Sequence, residues 1–277
     1  MREETGSYKG YDGTEMFLRT FHPDKAPRAV ILGIHGLGNH SGLLAYVGRF
    51  FAGKGFVFVA PDMRGFGHYS GRKGHVERFD EYTSDLHTLF KSTQERFPGL
   101  KIFMYGHSMG GLHIVRYAIA HPEGLTGILI PCPSVSERLK VSKGTRAIAA
   151  LMSRLNVKTY VSNGIDLTYI ARNPEVVKRN QEDPLRFDRV TPRMAVEGLG
   201  AKDKAFASAH LLNVPVLVQQ TGDDLILVPE KNKDFYDRIA SKDKTWKLYE
   251  GLYHEPFEDE GGEVVLADML AWIEARL

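Results

Sequence analysis

Residues 101–110, KIFMYGHSMG, run from a row of apolar strand-formers straight into Gly106-His107-Ser108-Met109-Gly110, and the chain continues into the helix-compatible MGGLHIVRYAIA. A strand that turns into a helix through so short a link leaves few folds open. The serine at the corner must take a strained backbone conformation, and the glycines two residues to either side must let strand and helix approach without a Cβ in the way. Such a corner holds a serine oxygen out from the end of a strand, where it can act as a nucleophile. The simpler reading is an ordinary serine at a helix N-cap.

The rest of the chain repeats the strand-to-helix rhythm. The segments 16–21, 29–34, 55–60, 101–105, 127–130, 214–220 and 245–249 are short and rich in β-branched or aromatic residues. Between them lie amphipathic stretches at 42–53, 80–96, 109–120, 229–240 and 263–276. AVILGI, FVFVA, IFMY and VPVLVQQ are apolar throughout, as strands covered on both faces are, so the pattern predicts βα units on a mostly parallel sheet flanked by helices. Segment 16–21, interrupted by Arg19 and Thr20, reads as an edge strand. From 134 to 204 the rhythm stops, with Pro131 and Pro133 at the entrance. This stretch reads as a helical insertion, a cap of 134–204 on a core of 1–133 and 205–277. It holds fourteen lysines and arginines against eight aspartates and glutamates, a net of +6 in a chain whose overall charge is +2.

A charge that balanced does not announce nucleic acid, and there is no basic arm. The single cysteine, Cys132, cannot close an intramolecular disulfide, which leans towards a reducing, cytoplasmic setting. The opening twenty residues carry no apolar core of signal-peptide length, and no later run approaches the roughly 18 apolar residues of a membrane span. The histidines are scattered without metal-ligand spacing, and neither glycine-rich loop has a phosphate-cradling pattern, so no metal and no cofactor are expected.

A serine hydroxyl needs a histidine base oriented by a carboxylate, and downstream of such a corner these come in the order acid, then histidine. VPVLVQQ runs into Thr221-Gly222-Asp223-Asp224, where two aspartates compete and Asp224 is preferred. WKLYEG leads to His254, the only histidine after His210. The oxyanion of a tetrahedral intermediate needs two backbone N–H groups. Met109 follows the serine, and Leu37 lies in the loop His35-Gly36-Leu37-Gly38-Asn39-His40 after an early strand. His35, His107 and His113 read as structural.

These stretches together resemble the α/β-hydrolase fold, and within it the monoacylglycerol lipase and lysophospholipase branch. The resembling segments are HGLGNHSG (35–42), APDMRGFGHYSGRKGHV (60–76), YGHSMGG (105–111), VPVLVQQTGDD (214–224) and LYEGLYHE (248–255), nearly the whole chain outside the insertion. The resemblance implies a cap at 134–204 and a serine hydrolase of single-chain acyl esters such as monoacylglycerols, with Ser108, Asp224 and His254 as triad and Leu37 and Met109 as oxyanion donors. Thr221 departs from the glycine the family usually places at that turn. Within the cap, Ile148, Leu151, Met152 and Leu155 recur at helical spacing, either packed on the core or offered to an acyl chain or a lipid interface. The partner expected is a small-molecule lipid ester, with peripheral membrane contact through the cap. The competing functions are a shorter-chain carboxylesterase, a proline-type aminopeptidase, an acyltransferase and a silent binding protein on the same fold.

Overall fold

The computed structural model describes residues 1–136, 138 and 141–277. The chain opens with β1 (Arg2–Lys9), β2 (Glu15–His22), β3 (Val30–Ile34), α1 (Ala45–Gly53), β4 (Val57–Pro61), α2 (Asp80–Arg96), β5 (Ile102–Gly106), α3 (Met109–Ala120) and β6 (Leu125–Pro131). The next segment holds α4 (Lys143–Arg154), β7 (Val161–Ser162), α5 (Pro174–Glu182), β8 (Arg189–Val190) and α6 (Pro192–Ala207). Then come β9 (Val216–Thr221), α7 (Pro229–Arg238), β10 (Lys244–Tyr249) and α8 (Glu263–Glu274).

Eight strands form one sheet in the order β1-β2-β4-β3-β5-β6-β9-β10. From β4 to β10 every pairing is parallel, whereas β1 and β2 join antiparallel. Period-two alternation decides which layer each strand residue enters. Val30, Leu32, Val57, Val59, Met104, Ile128, Val216 and Val218 point into the larger core, with Tyr82, Leu86, Phe90, Leu112 and Val115 of α2 and α3. Their neighbours Ile31, Phe58, Phe103, Leu129 and Leu217 point the other way, onto Val47 and Phe51 of α1 and Leu266, Met269 and Ile273 of α8. Sandwiched between helices on both faces, these strands have no side for water, which is why their sequences are apolar without alternation.

The outer rim differs from the sequence expectation. β2 is not an edge, because β1 pairs along its full length, from Arg2 opposite His22 to Lys9 opposite Glu15. REETGSYK is largely exposed on both faces and so shows no apolar period to reveal a strand. Residues 134–204 are also not wholly helical: Val161 pairs with Val190 and Ser162 with Arg189, a ladder too short to leave a sequence signature. α6 runs on to Ala207. Among the described residues no helix is long and apolar enough to cross a membrane.

Candidate active site

Ser108 stands between β5 and α3 with φ 55° and ψ −119°, in the left-handed half of backbone space, at a cost of about 1–3 kcal/mol. It occupies the N-cap place of α3, yet its side chain makes no capping bond, so its hydroxyl is not spent on the helix. The flanking glycines are required by contact. A Cβ on Gly110 would lie 2.1 Å from the carbonyl oxygen of Ile34, and one on Gly106 would lie 2.4 Å from that of Gly110. Strand, turn and helix therefore close on one another only without side chains there, and Ser108 is left at the carboxyl end of the central strand.

The loop after β3 reaches the same place, and buried polar groups hold it there. His35 Nε2 accepts the Met63 N–H at 2.9 Å, so its Nδ1 carries the proton and donates to the Gly36 carbonyl at 2.8 Å. Burial pushes its pKa down to about 4, so the ring is neutral and structural. Asp62 Oδ1 accepts the Ser41 N–H at 2.7 Å, and its Oδ2 accepts from His68 N–H and Nδ1, also at 2.7 Å. Arg64 is pinned bidentately to Asp85 of α2 at 2.8 and 2.9 Å and also reaches Asp12. The two motifs HGLGNHSG and APDMRGFG belong together because the second is the scaffold of the first.

Across the cavity, Asp224 is fully buried, and its Oδ2 lies 2.8 Å from His254 Nδ1. The Ile226 and Leu227 N–H groups each donate to Oδ1 at 2.8 Å, and Gln220 Nε2 donates to Oδ2 at 3.3 Å. Burial alone would raise the carboxyl pKa, but the charge and hydrogen bond of His254 and these N–H donors hold it well below the usual carboxylate range. For His254 burial opposes the charge, and Asp224 more than offsets it, leaving the pKa above that of an ordinary histidine. Asp223 is exposed, and its N–H bonds the Leu252 carbonyl at 3.2 Å.

Ser108, His254 and Leu37 line one cavity of about 250 Å³, together with Asn39, Arg186, Glu255 and the apolar Ile165, Ile170 and Ile226. The segment after β6 contributes Ile165, Ile170 and Arg186 to this lining and is held to the loop after β3. The Phe187 N–H donates to the Gly38 carbonyl at 2.9 Å, His40 Nε2 meets Asp183 Oδ2 at 3.0 Å, and Arg186 donates to Asn39 Oδ1. On its other side the Glu255 N–H bonds the Ile170 carbonyl at 2.6 Å.

Ile148, Leu151, Met152 and Leu155 lie elsewhere, along α4 and its C-cap. Ile148, Leu151 and Leu155 are 62%, 57% and 68% exposed and Met152 is half-buried; the apolar lining of the cavity from this segment is Ile165 and Ile170 instead. Sequence reasoning missed those two, Arg186, Asn39 and Glu255. It also missed Cys132, which takes φ 46° behind His254 and places its Sγ 3.4 Å from Thr221 Oγ1, the residue that departs from the usual glycine. His107 is buried and ties down the His254 carbonyl through Nε2 at 2.8 Å, while His113 stacks between Phe79 and Tyr82. Donor atoms of His107, Cys132 and His254 lie within 4.8 Å of one another, but Asp224 and the His254 carbonyl already engage the two rings.

Comparison with known proteins gives the chain a family context. The model of the family described as serine aminopeptidase, S33, matches residues 25–261. A monoacylglycerol lipase of Mycolicibacterium smegmatis is 31% identical over 274 residues, 98% of this chain and 97% of that protein. An uncharacterized abhydrolase domain-containing protein of Dictyostelium discoideum is 32% identical over 96% of this chain, which spans only 28% of that longer protein. Among solved structures, the monoacylglycerol lipase of Paleococcus ferrophilus superposes with a TM-score of 0.85 at 31% identity, covering 95% of this chain and all of that one.

Proposed function

We propose that this chain, which belongs to the S33 serine aminopeptidase family of α/β-hydrolases, is a serine ester hydrolase that cleaves monoacylglycerols and similar single-chain acyl esters. The observation that carries this reading is the buried Asp224–His254 hydrogen bond of 2.8 Å opening onto the cavity that Ser108 lines. In this reading His254 Nε2 takes the Ser108 proton as the oxygen attacks the ester carbonyl, and Asp224 keeps the other ring proton on Nδ1 and stabilises the imidazolium. The N–H groups of Leu37 and Met109 receive the oxyanion. The alcohol departs with the proton from His254, and water then hydrolyses the acyl-enzyme by the same route. These steps use only groups of the chain and water.

Residues 134–204 act as a cap that shields the acyl-enzyme. The exposed Ile148, Leu151 and Leu155 on a segment of net charge +6 give that cap a face suited to an anionic lipid surface. Peptidase action, which the family description also names, would need carboxylate capture of a free amine. Glu255 is the carboxylate at the cavity wall, but its Oε1 accepts from Asn39 Nδ2 at 3.3 Å and Arg186 shares the wall, which favours the ester.

The test is a hydrolysis profile over p-nitrophenyl esters of rising chain length, monoacylglycerols and aminoacyl arylamides, with wild type and Ser108→Ala. We expect monoacylglycerol turnover to fall by roughly 10⁴-fold or more in the variant, with loss of fluorophosphonate labelling. A folded Ser108→Ala protein keeping a tenth of wild-type turnover, or a preference for arylamides, refutes the assignment.

A further inference from the structure

Asp224 is held from behind as well as from its own loop. Gln220 near the end of β9 and Asn232 on α7 are fully buried, and Ser136, where the chain leaves β6, is buried too. Gln220 Nε2 donates to Asp224 Oδ2 at 3.3 Å and to the Thr221 carbonyl at 3.0 Å, and its Oε1 accepts from Asn232 Nδ2 at 2.7 Å. Asn232 Nδ2 also donates to the Pro133 carbonyl at 3.0 Å, and its Oδ1 accepts from Ser136 Oγ at 2.8 Å. The Ser136 oxygen in turn accepts the Val228 N–H at 3.1 Å.

The direction of this chain of bonds is fixed by main-chain groups. The Val228 N–H can only donate, and the Pro133 and Thr221 carbonyls can only accept. Each amide therefore turns its NH₂ towards the Asp224 side, and reversing either would set oxygen against oxygen. Apolar side chains would fill these buried positions without the cost of desolvating two amides and a hydroxyl. The group that gains is the carboxylate: among the described residues, Gln220 is the one donor besides His254 to the oxygen that faces the ring.

We propose that Gln220, Asn232 and Ser136 are positioning residues of the reaction, a one-way relay that aims a fixed donor at the Asp224 oxygen bonded to His254. This rests on the ester-hydrolase reading and adds to it residues that act only through Asp224. The positive end of the Gln220 amide draws charge away from the side of the carboxylate that supports the imidazolium. Without it Asp224 keeps the Ile226 and Leu227 N–H groups and its bond to His254, so the ring holds its proton to higher pH.

The test compares wild type, Gln220→Met, Asn232→Leu and the double variant on p-nitrophenyl butyrate, with melting curves for each. We expect Gln220→Met to lower kcat by about 3- to 10-fold at unchanged KM and to move the acid limb of kcat/KM up by about 0.5–1 pH unit. Asn232→Leu leaves the Gln220 oxygen without a donor and should lower Tm. The double variant, apolar on both sides of that contact, should regain part of the loss. Turnover should not follow stability: the double variant keeps the kcat and acid limb of Gln220→Met, and it carries the test alone if Gln220→Met does not fold. Activity that returns with Tm, or an acid limb that stays at its wild-type place, overturns the relay. Titration of the His254 ring by nitrogen NMR in Ser108→Ala, with and without Gln220→Met, needs no turnover and should show the same upward move. Identical titrations overturn the relay while ester hydrolysis stands. Absence of ester hydrolysis in wild type would instead fell the underlying reading, and the titration would still decide for or against the relay.

Discussion

Asp224→Asn separates a carboxylate that orients His254 from one that merely fills space. An asparagine has one oxygen to place where Asp224 has two. The Oδ1 position receives N–H groups from Ile226 and Leu227 at 2.8 Å each, and an amide nitrogen there would face two donors. The oxygen therefore takes that position and the NH₂ takes the place of Oδ2, 2.8 Å from His254 Nδ1. Facing a donor, Nδ1 becomes an acceptor and the ring proton moves to Nε2, the atom proposed to accept from Ser108. An error of tautomer of this kind costs on the order of 10⁴ in turnover in a serine protease, about 5.5 kcal/mol of barrier, and the same loss is expected here. The new NH₂ also confronts Gln220 Nε2, so stability should drop by about 1–3 kcal/mol without loss of the fold. Exposed Asp223 offers no such route, and Asp223→Asn should stay within about twofold of wild type. The assay is kcat on p-nitrophenyl butyrate, with circular dichroism to verify folding. A folded Asp224→Asn protein retaining more than about a hundredth of wild-type turnover, or a stronger effect at Asp223, would refute the reasoning.

With His254 as the proposed base, its raised pKa means that it becomes neutral, and activity rises, only as pH climbs past the ordinary histidine value of about 6.5. kcat/KM against pH should show an acid limb above that value, shifted lower in Asp224→Asn, and a wild-type limb at or below 6.5 contradicts the electrostatics. Gly110→Ala forces a Cβ to within 2.1 Å of the Ile34 oxygen, a backbone atom that cannot swing away. It should cost about 3 kcal/mol or more and lower Tm by several degrees, and a silent substitution would show the corner is looser than described. On anionic vesicles, monoacylglycerol hydrolysis should fall with added salt while hydrolysis of a soluble ester hardly changes. Serine at Ile148, Leu151 and Leu155 should hurt the vesicle substrate more than the soluble one, and equal losses would make the stripe ordinary packing.

The part of the molecule legible in its sequence is the part fixed by local chemistry. VILGI, VFVAP and VLVQQT are buried on both faces and look so as text, and the corner at Ser108 announces itself through glycines that contact makes necessary. β1 was hidden because an exposed rim strand carries no apolar period. Arg186 was hidden for another reason. Its place beside Asn39 depends on how a segment 147 residues away in sequence lies down on a loop, and no spacing rule reports that. Glu255 had a faint signal, being the residue after His254. The apolar stripe of α4 was visible, but periodicity marks only that a face exists; it does not say whether the face turns to the core or to the outside.

The clamp between residues 183–187 and 38–40 means that the segment after β6 is not an interchangeable module. Any chimera that imports a relative's insertion without its matching loop would leave the Gly38 carbonyl, His40 and Asn39 facing strangers, and the Leu37 N–H would inherit their disorder. Substrate range and reaction rate are therefore tied in this scaffold. A graft made to change which ester is admitted will also change how fast any ester reacts, and the two properties will be recovered together only when loop and insertion are exchanged as one piece.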